Sequence, residues 1–190
     1  MTITVDTCVW IALESERERQ LICDLLNLCD RKCVQIYVSS RIMNFDSVKM
    51  DGPSRERLMI ALKLHNVKIE SAPFRFGGIN ENFGSRFGDG DFLSSATADK
   101  DELAFEDIFG KEPMQLPREE LGAKVSNWIG DYDVLKQHYL NKRDIFVTLD
   151  TKVYFSEDKR RRAKEKLNLE IADPASAVAI IENMLNSHQG

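Results

Sequence analysis

Short β-branched runs alternate along this chain with stretches of helical periodicity, and that alternation constrains the fold more than any other feature. Thr2-Ile3-Thr4-Val5, Val34-Gln35-Ile36-Tyr37-Val38, Val67-Lys68-Ile69-Glu70, Ile145-Phe146-Val147-Thr148 and Leu167-Asn168-Leu169-Glu170-Ile171 read as strands. Between them, Leu21, Ile22, Leu25, Leu26 and Leu28 recur at helical spacing over 15–30, and further helical patterns cover 41–50, 54–65, about 116–140, 156–167 and 174–186. Pro53 or Ser54, Ser156 and Asp173-Pro174 are suited to opening three of these helices. Strands joined by helices imply a parallel sheet covered on both faces. The 190 residues fit a single α/β domain, doubly wound around a five-stranded parallel sheet. With 43% hydrophobic residues the chain can bury a full core without disulfide staples.

One region breaks the alternation. Residues 73–116 hold six of the ten glycines, including Phe87-Gly88-Asp89-Gly90-Asp91-Phe92, and read as an insertion of loops that can hold a short helix, either a lid or partner surface or partly ordered. Its acidic residues Asp89, Asp91, Glu102 and Glu106 read as surface or partner-binding groups. No stretch approaches the roughly 18 apolar residues of a membrane span. The chain starts directly on a strand, without the basic start and long apolar run of a signal peptide, so a cytoplasmic location and no membrane partner are expected. Cys8, Cys23, Cys29 and Cys33 form no C-x-x-C pair and read as small buried hydrophobes rather than zinc ligands.

In parallel sheets ligands bind at the carboxyl ends of the strands. Asp6, Ser39-Ser40 and Asp150 occupy such ends. Asp6 also suits a helix N-cap. A haloacid-dehalogenase-like phosphatase is disfavoured, because Cys8 stands where its second aspartate belongs, and no glycine-rich phosphate loop is present. Asp131, nineteen residues before Asp150, can fold back to the same sheet edge, and Asp46 follows the second strand. Carboxylates so gathered repel one another and call for a cation. All-oxygen donors favour Mg²⁺ or Mn²⁺. Asp133 competes with Asp131, since the two lie about 200° apart around a helix and periodicity does not choose between them.

Val5-Asp6-Thr7, Asp46, Asp131 and Asp144-Ile145-Phe146-Val147-Thr148-Leu149-Asp150 resemble the PIN domain, a family of metal-dependent ribonucleases. The resemblance covers 1–46 and 125–185, and the final strand, Asp173-Pro174 and last helix look like the family's close. It implies a four-acid site for one or two divalent ions and phosphodiester cleavage. Asp6, Asp131 and Asp150 would be ligands. Asp46, where the family usually has a glutamate, would orient the attacking water or act as base. In the family pattern the spacing to Asp150, and His138 seven residues on, favour Asp131 over Asp133.

Thr148, Thr7 and Ser40 are candidates to hydrogen-bond the ligands. Arg41 and His138 are candidate phosphate contacts. Arg160 and Arg161 in the basic run 159–166 are weighed against an ordinary solvated helix face. The expected partners are RNA, an antitoxin or other protein whose arginine or lysine enters the acidic site, and a second copy of the chain. A net charge of −5 argues against a general polyanion binder but not against such an enzyme. The alternative expectation is a catalytically weak PIN-like module that binds RNA or protein.

Overall fold

Residues 1–14, 16–43, 50–71, 99–110, 125–150 and 155–187 are described in the computed structural model of the chain. Five strands, Thr2–Val5 (β1), Gln35–Ser39 (β2), Lys68–Glu70 (β3), Ile145–Val147 (β4) and Ile171–Ala172 (β5), form one sheet in the order β3-β2-β1-β4-β5. Every pairing is parallel. The helices are Thr7–Ala12 (α1), Glu16–Arg31 (α2), Gly52–Leu64 (α3), Asp99–Phe109 (α4), Val125–Leu140 (α5), Glu157–Leu167 (α6) and Pro174–Ser187 (α7). The molecule is thus the doubly wound α/β domain that the alternation predicts.

Period-two patterning sorts the strand side chains between two cores. Ile3 and Val5 of β1 join Ile36, Val38, Ile145 and Val147 in one core, against Ile22, Leu25, Leu26 and Cys29 of α2 and Ala177 and Ile181 of α7. The intervening Phe146, with Ile171, faces Tyr132 and Leu135 of α5, Phe105, Ile108 and Phe109 of α4, and Ala163 of α6. Each fully buried large side chain contributes about 1.5–3 kcal/mol of transfer free energy. Trp10 is buried in the first core, as expected, whereas the Trp128 side chain lies outside the description.

Helix ends follow local chemistry. Asp51 accepts a hydrogen bond from the Ser54 amide at 2.7 Å and starts α3, with Pro53 in the first turn. Asp173 does the same for α7, accepting from the Ser176 amide at 2.9 Å. Ser156 is the N-cap of α6 without a side-chain cap bond.

One expectation changes. The predicted strand over 167–171 begins too early: Leu167 is the last residue of α6, and Asn168 ends the helix in the left-handed region at φ 51°. Leu167, Leu169 and Ile171 alternate, but Leu167 also lies one turn after buried Ala163, and the helix claims it. Of 73–116 the structure describes 99–110. That part contains α4, whose Phe105, Ile108 and Phe109 are core residues and whose Asp107 binds Arg162 at 2.7 Å and Lys166 at 2.8 Å on α6. The short helix allowed for in the insertion is therefore part of the second core. Phe105, Ile108 and Phe109 form a regular i, i+3, i+4 apolar stripe between glycine-rich flanks. Among the described residues no helix is long and apolar enough to cross a membrane.

Candidate active site at the carboxyl ends of β1 and β4

The chain winds outward from β1 through β2 to β3, then crosses to β4 on the other side of β1. The β1/β4 junction is therefore the topological switch point, where a crevice opens above the strand ends. A cleft of about 250 Å³ lies there, lined by Asp6, Thr7, Cys8 and Ile11 after β1, Arg41 after β2, Gly130, Asp131 and Val134 of α5, and Asp150 after β4.

Register explains the deepest part of the cleft. Val5 pairs with Val147, so Asp6 and Thr148 come next on adjacent strands and point toward α5. The Thr148 hydroxyl donates to Asp6 Oδ2 at 2.8 Å, and the Cys8 thiol donates to the same oxygen at 3.1 Å. Thr148 Oγ1 in turn accepts the Asp150 amide at 3.1 Å. One buried hydroxyl thus ties the Asp6 carboxylate to the backbone of Asp150. A hydrogen bond to a charged group of this kind stabilises by about 1.5–3 kcal/mol. Asp6 occupies the N-cap position of α1, yet its side chain makes no cap hydrogen bond. The capping role does not account for its orientation.

The spacing of the cysteines predicts a small buried hydrophobe at Cys8. It sits instead in the polar network, with the Leu149 amide donating to its sulfur at 3.3 Å. Burial, and then the neighbouring Asp6 charge, push its thiol up to about 12, so it remains a neutral donor. Nothing in the spacing of the cysteines signals this. Cys29 is buried as expected, whereas Cys33 is exposed.

On α5, Asp131 lines the cleft, whereas Asp133 is 4% exposed and does not line it. His138 requires a correction. Two turns further along α5 it is displaced by about 10 Å along the helix axis and is fully buried. Its Nδ1 lies 2.9 Å from Thr4 Oγ1, and its ring meets Phe146 edge-on at 5.4 Å. Burial, with the nearby Arg143 charge, lowers its pKa to about 3. A neutral core imidazole cannot hold a substrate phosphate.

Thr7 and Arg41 line the cleft, but Ser40 does not; its amide donates to the Glu70 carbonyl at 2.6 Å. The basic run is largely consumed elsewhere. Arg161 spans Asp158 at 2.6 Å and Glu165 at 3.3 Å along α6, and Lys164 meets Glu170 at 2.9 Å. Neither Arg160 nor Arg161 lines the cleft; Arg161 is held on the exposed face of α6 by its two carboxylate partners, whereas Arg160 is half-buried with its Nε enclosed. The member of the run that senses the site is Lys159. Burial lowers its pKa, and the Asp150 charge opposes that shift.

Asp46 lies outside the described residues, as do Asp89 and Asp91. Among the described residues no three His, Cys, Asp or Glu side chains stand close enough to hold a metal ion together. The cleft therefore gathers Asp6, Asp131 and Asp150 on one wall system without closing them into a tight cage. No family model and no curated protein matches the chain.

Proposed function

We propose that this cleft is the active site of a divalent-metal-dependent endoribonuclease of the PIN-like type. The observation that carries the reading is the orientation of Asp6. Its carboxylate forgoes capping α1 and is held by Thr148 and Cys8 in a cleft that Asp131 and Asp150 share. The donor set is all oxygen, which suits Mg²⁺ or Mn²⁺. The open arrangement suits an ion that keeps several of its waters rather than one in an all-protein cage.

Asp6, Asp131 and Asp150 would hold the ion. Bound there, it would activate water and stabilise charge on the phosphate and leaving oxygen. Thr148 fixes the Asp6 carboxylate and couples it to Asp150. Arg41 and Lys159 supply positive charge for the phosphodiester, which the net charge of −5 does not provide globally. Asp46, five residues after Arg41 in the chain, is the proposed base or water-orienting group. Ile11 and Val134 give the cleft apolar walls. In a toxin–antitoxin pair, an antitoxin arginine or lysine would neutralise the same carboxylates.

Incubation of the purified protein with single-stranded RNA in EDTA, Mg²⁺ or Mn²⁺ tests the proposal. Cleavage is expected with the metals only. Contaminant-free protein that cuts with neither metal would remove the enzyme. The spacing of the carboxylates favours one second reading, an RNA-binding module without cleavage, which the same sample distinguishes by retaining RNA uncut.

A further inference from the structure

We infer that Gly130 is a positioning residue, a notch in α5 that seats the Arg41 guanidinium at the cleft as its anion-holding group. Gly130 is the sixth of the sixteen residues of α5 and is buried. A Cβ built on it would lie 2.7 Å from Arg41 Cζ, 2.7 Å from Nη2 and 2.9 Å from Nε. These three nearest atoms all belong to one guanidinium, which therefore lies against the bare helix backbone. Both residues line the cleft beside Asp131.

Glycine inside a helix sacrifices stability relative to alanine. Here the obstacle to a methyl group is the far end of a flexible side chain, which can swing away. Alanine is thus compatible with the fold and incompatible with the seat. The site gives up helix stability to bring a guanidinium flat against α5, where its fork of donors meets an oxyanion entering the cleft. With Asp131 next to it on α5 and Asp6 and Asp150 at the strand ends, the ligand class is a phosphodiester whose negative charge an ion and Arg41 would share. This assignment rests on the ribonuclease reading.

The test is a double-mutant cycle on an Asp150→Asn background, which suppresses cleavage. Affinity for a fluorescein-labelled single-stranded RNA is read by anisotropy in Mg²⁺, beside the Tm and the Arg41 Nε–H NMR resonance without RNA. Gly130→Ala should weaken RNA binding about tenfold, as should Arg41→Ala, and the double variant should bind no worse than Arg41→Ala alone. Gly130→Ala should also raise the Tm and shift the Arg41 resonance. Unchanged RNA affinity in Gly130→Ala, losses that multiply in the double variant, or an unmoved Arg41 resonance would each overturn the seat. If neither the parent nor wild-type protein in Ca²⁺ binds RNA, the ligand class and the ribonuclease reading fall together, and the Arg41 resonance then tells whether the seat itself stands.

Discussion

β1 and the residue that follows it anchor two polar clusters on the side that faces α5, built on Thr4 and Asp6 only two positions apart, and their contrast separates structure from chemistry. Around Asp6 the groups converge on a cleft. Around Thr4 they pack against one another instead of converging on that cleft. Thr4 Oγ1 accepts from Arg143 Nη1 at 2.8 Å and meets His138 Nδ1 at 2.9 Å. Arg143 also pairs with Glu70 and lies 4.0 Å over the Tyr37 ring. That cluster clamps β1, β2, β3 and α5 together. The cleft, by contrast, ties the ends of β1 and β4 through Thr148 and presents carboxylates to the outside. The same α5 serves both, with Asp131 near the strand ends and His138 two turns deeper. Depth along the helix, not residue type, decides which polar groups can reach a substrate.

Substitutions in the two clusters should fail differently. Asp6→Asn and Asp150→Asn should each lower cleavage on the order of a thousandfold, with Tm close to wild type. Cleavage unaffected by both substitutions would refute the site. Arg143→Met should do the reverse. The Arg143 side chain is 5% exposed and that of Glu70 23%, so removing the guanidinium strands a largely buried carboxylate and costs about 3 kcal/mol in urea unfolding. Cleavage per folded molecule should persist; its loss in folded Arg143→Met would erase the distinction between the clusters.

The next effect is a pH dependence. The folded state holds His138 neutral to about 3, whereas its ordinary value is 6.5. Between pH 6.5 and 5 the unfolded chain therefore takes up a proton that the folded chain refuses, and stability falls as pH falls. The slope from this residue approaches about 1.4 kcal/mol per pH unit below its unfolded pKa. Unfolding of His138→Gln across that window should show a correspondingly shallower slope; an equal slope would mean that the imidazole is not sealed. The smallest expected effect is at Thr148. Thr148→Val should weaken Mn²⁺ binding about tenfold, and Thr148→Ser should retain it. Equal affinities in both variants would mean that the hydroxyl does not hold Asp6 for the ion.

The sheet and its helices were legible because strand and helix periods are local properties of sequence. So was the shared edge of Asp6 and Asp150, since both follow buried runs whose ends align in a parallel sheet. Other features depend on tertiary depth. Asp131 and His138 share a helix side, and only their positions along the strand direction distinguish a cleft residue from a core residue. Cys8 gains its role from Thr148, 140 positions away. Lys159 looks like any member of its run until α6 is placed beside Asp150. The notch at Gly130 exists only because a side chain from the far end of β2 crosses it.

The most direct test of the contrast between the clusters is a Mn²⁺ titration followed by electron paramagnetic resonance. Wild-type protein should bind the ion, Asp6→Asn and Asp150→Asn should each bind more than about tenfold more weakly, and folded Arg143→Met should match wild type. Binding that survives both aspartate substitutions, or wild-type protein that leaves Mn²⁺ free at millimolar concentration, would contradict the assignment of the cleft as a metal-dependent active site.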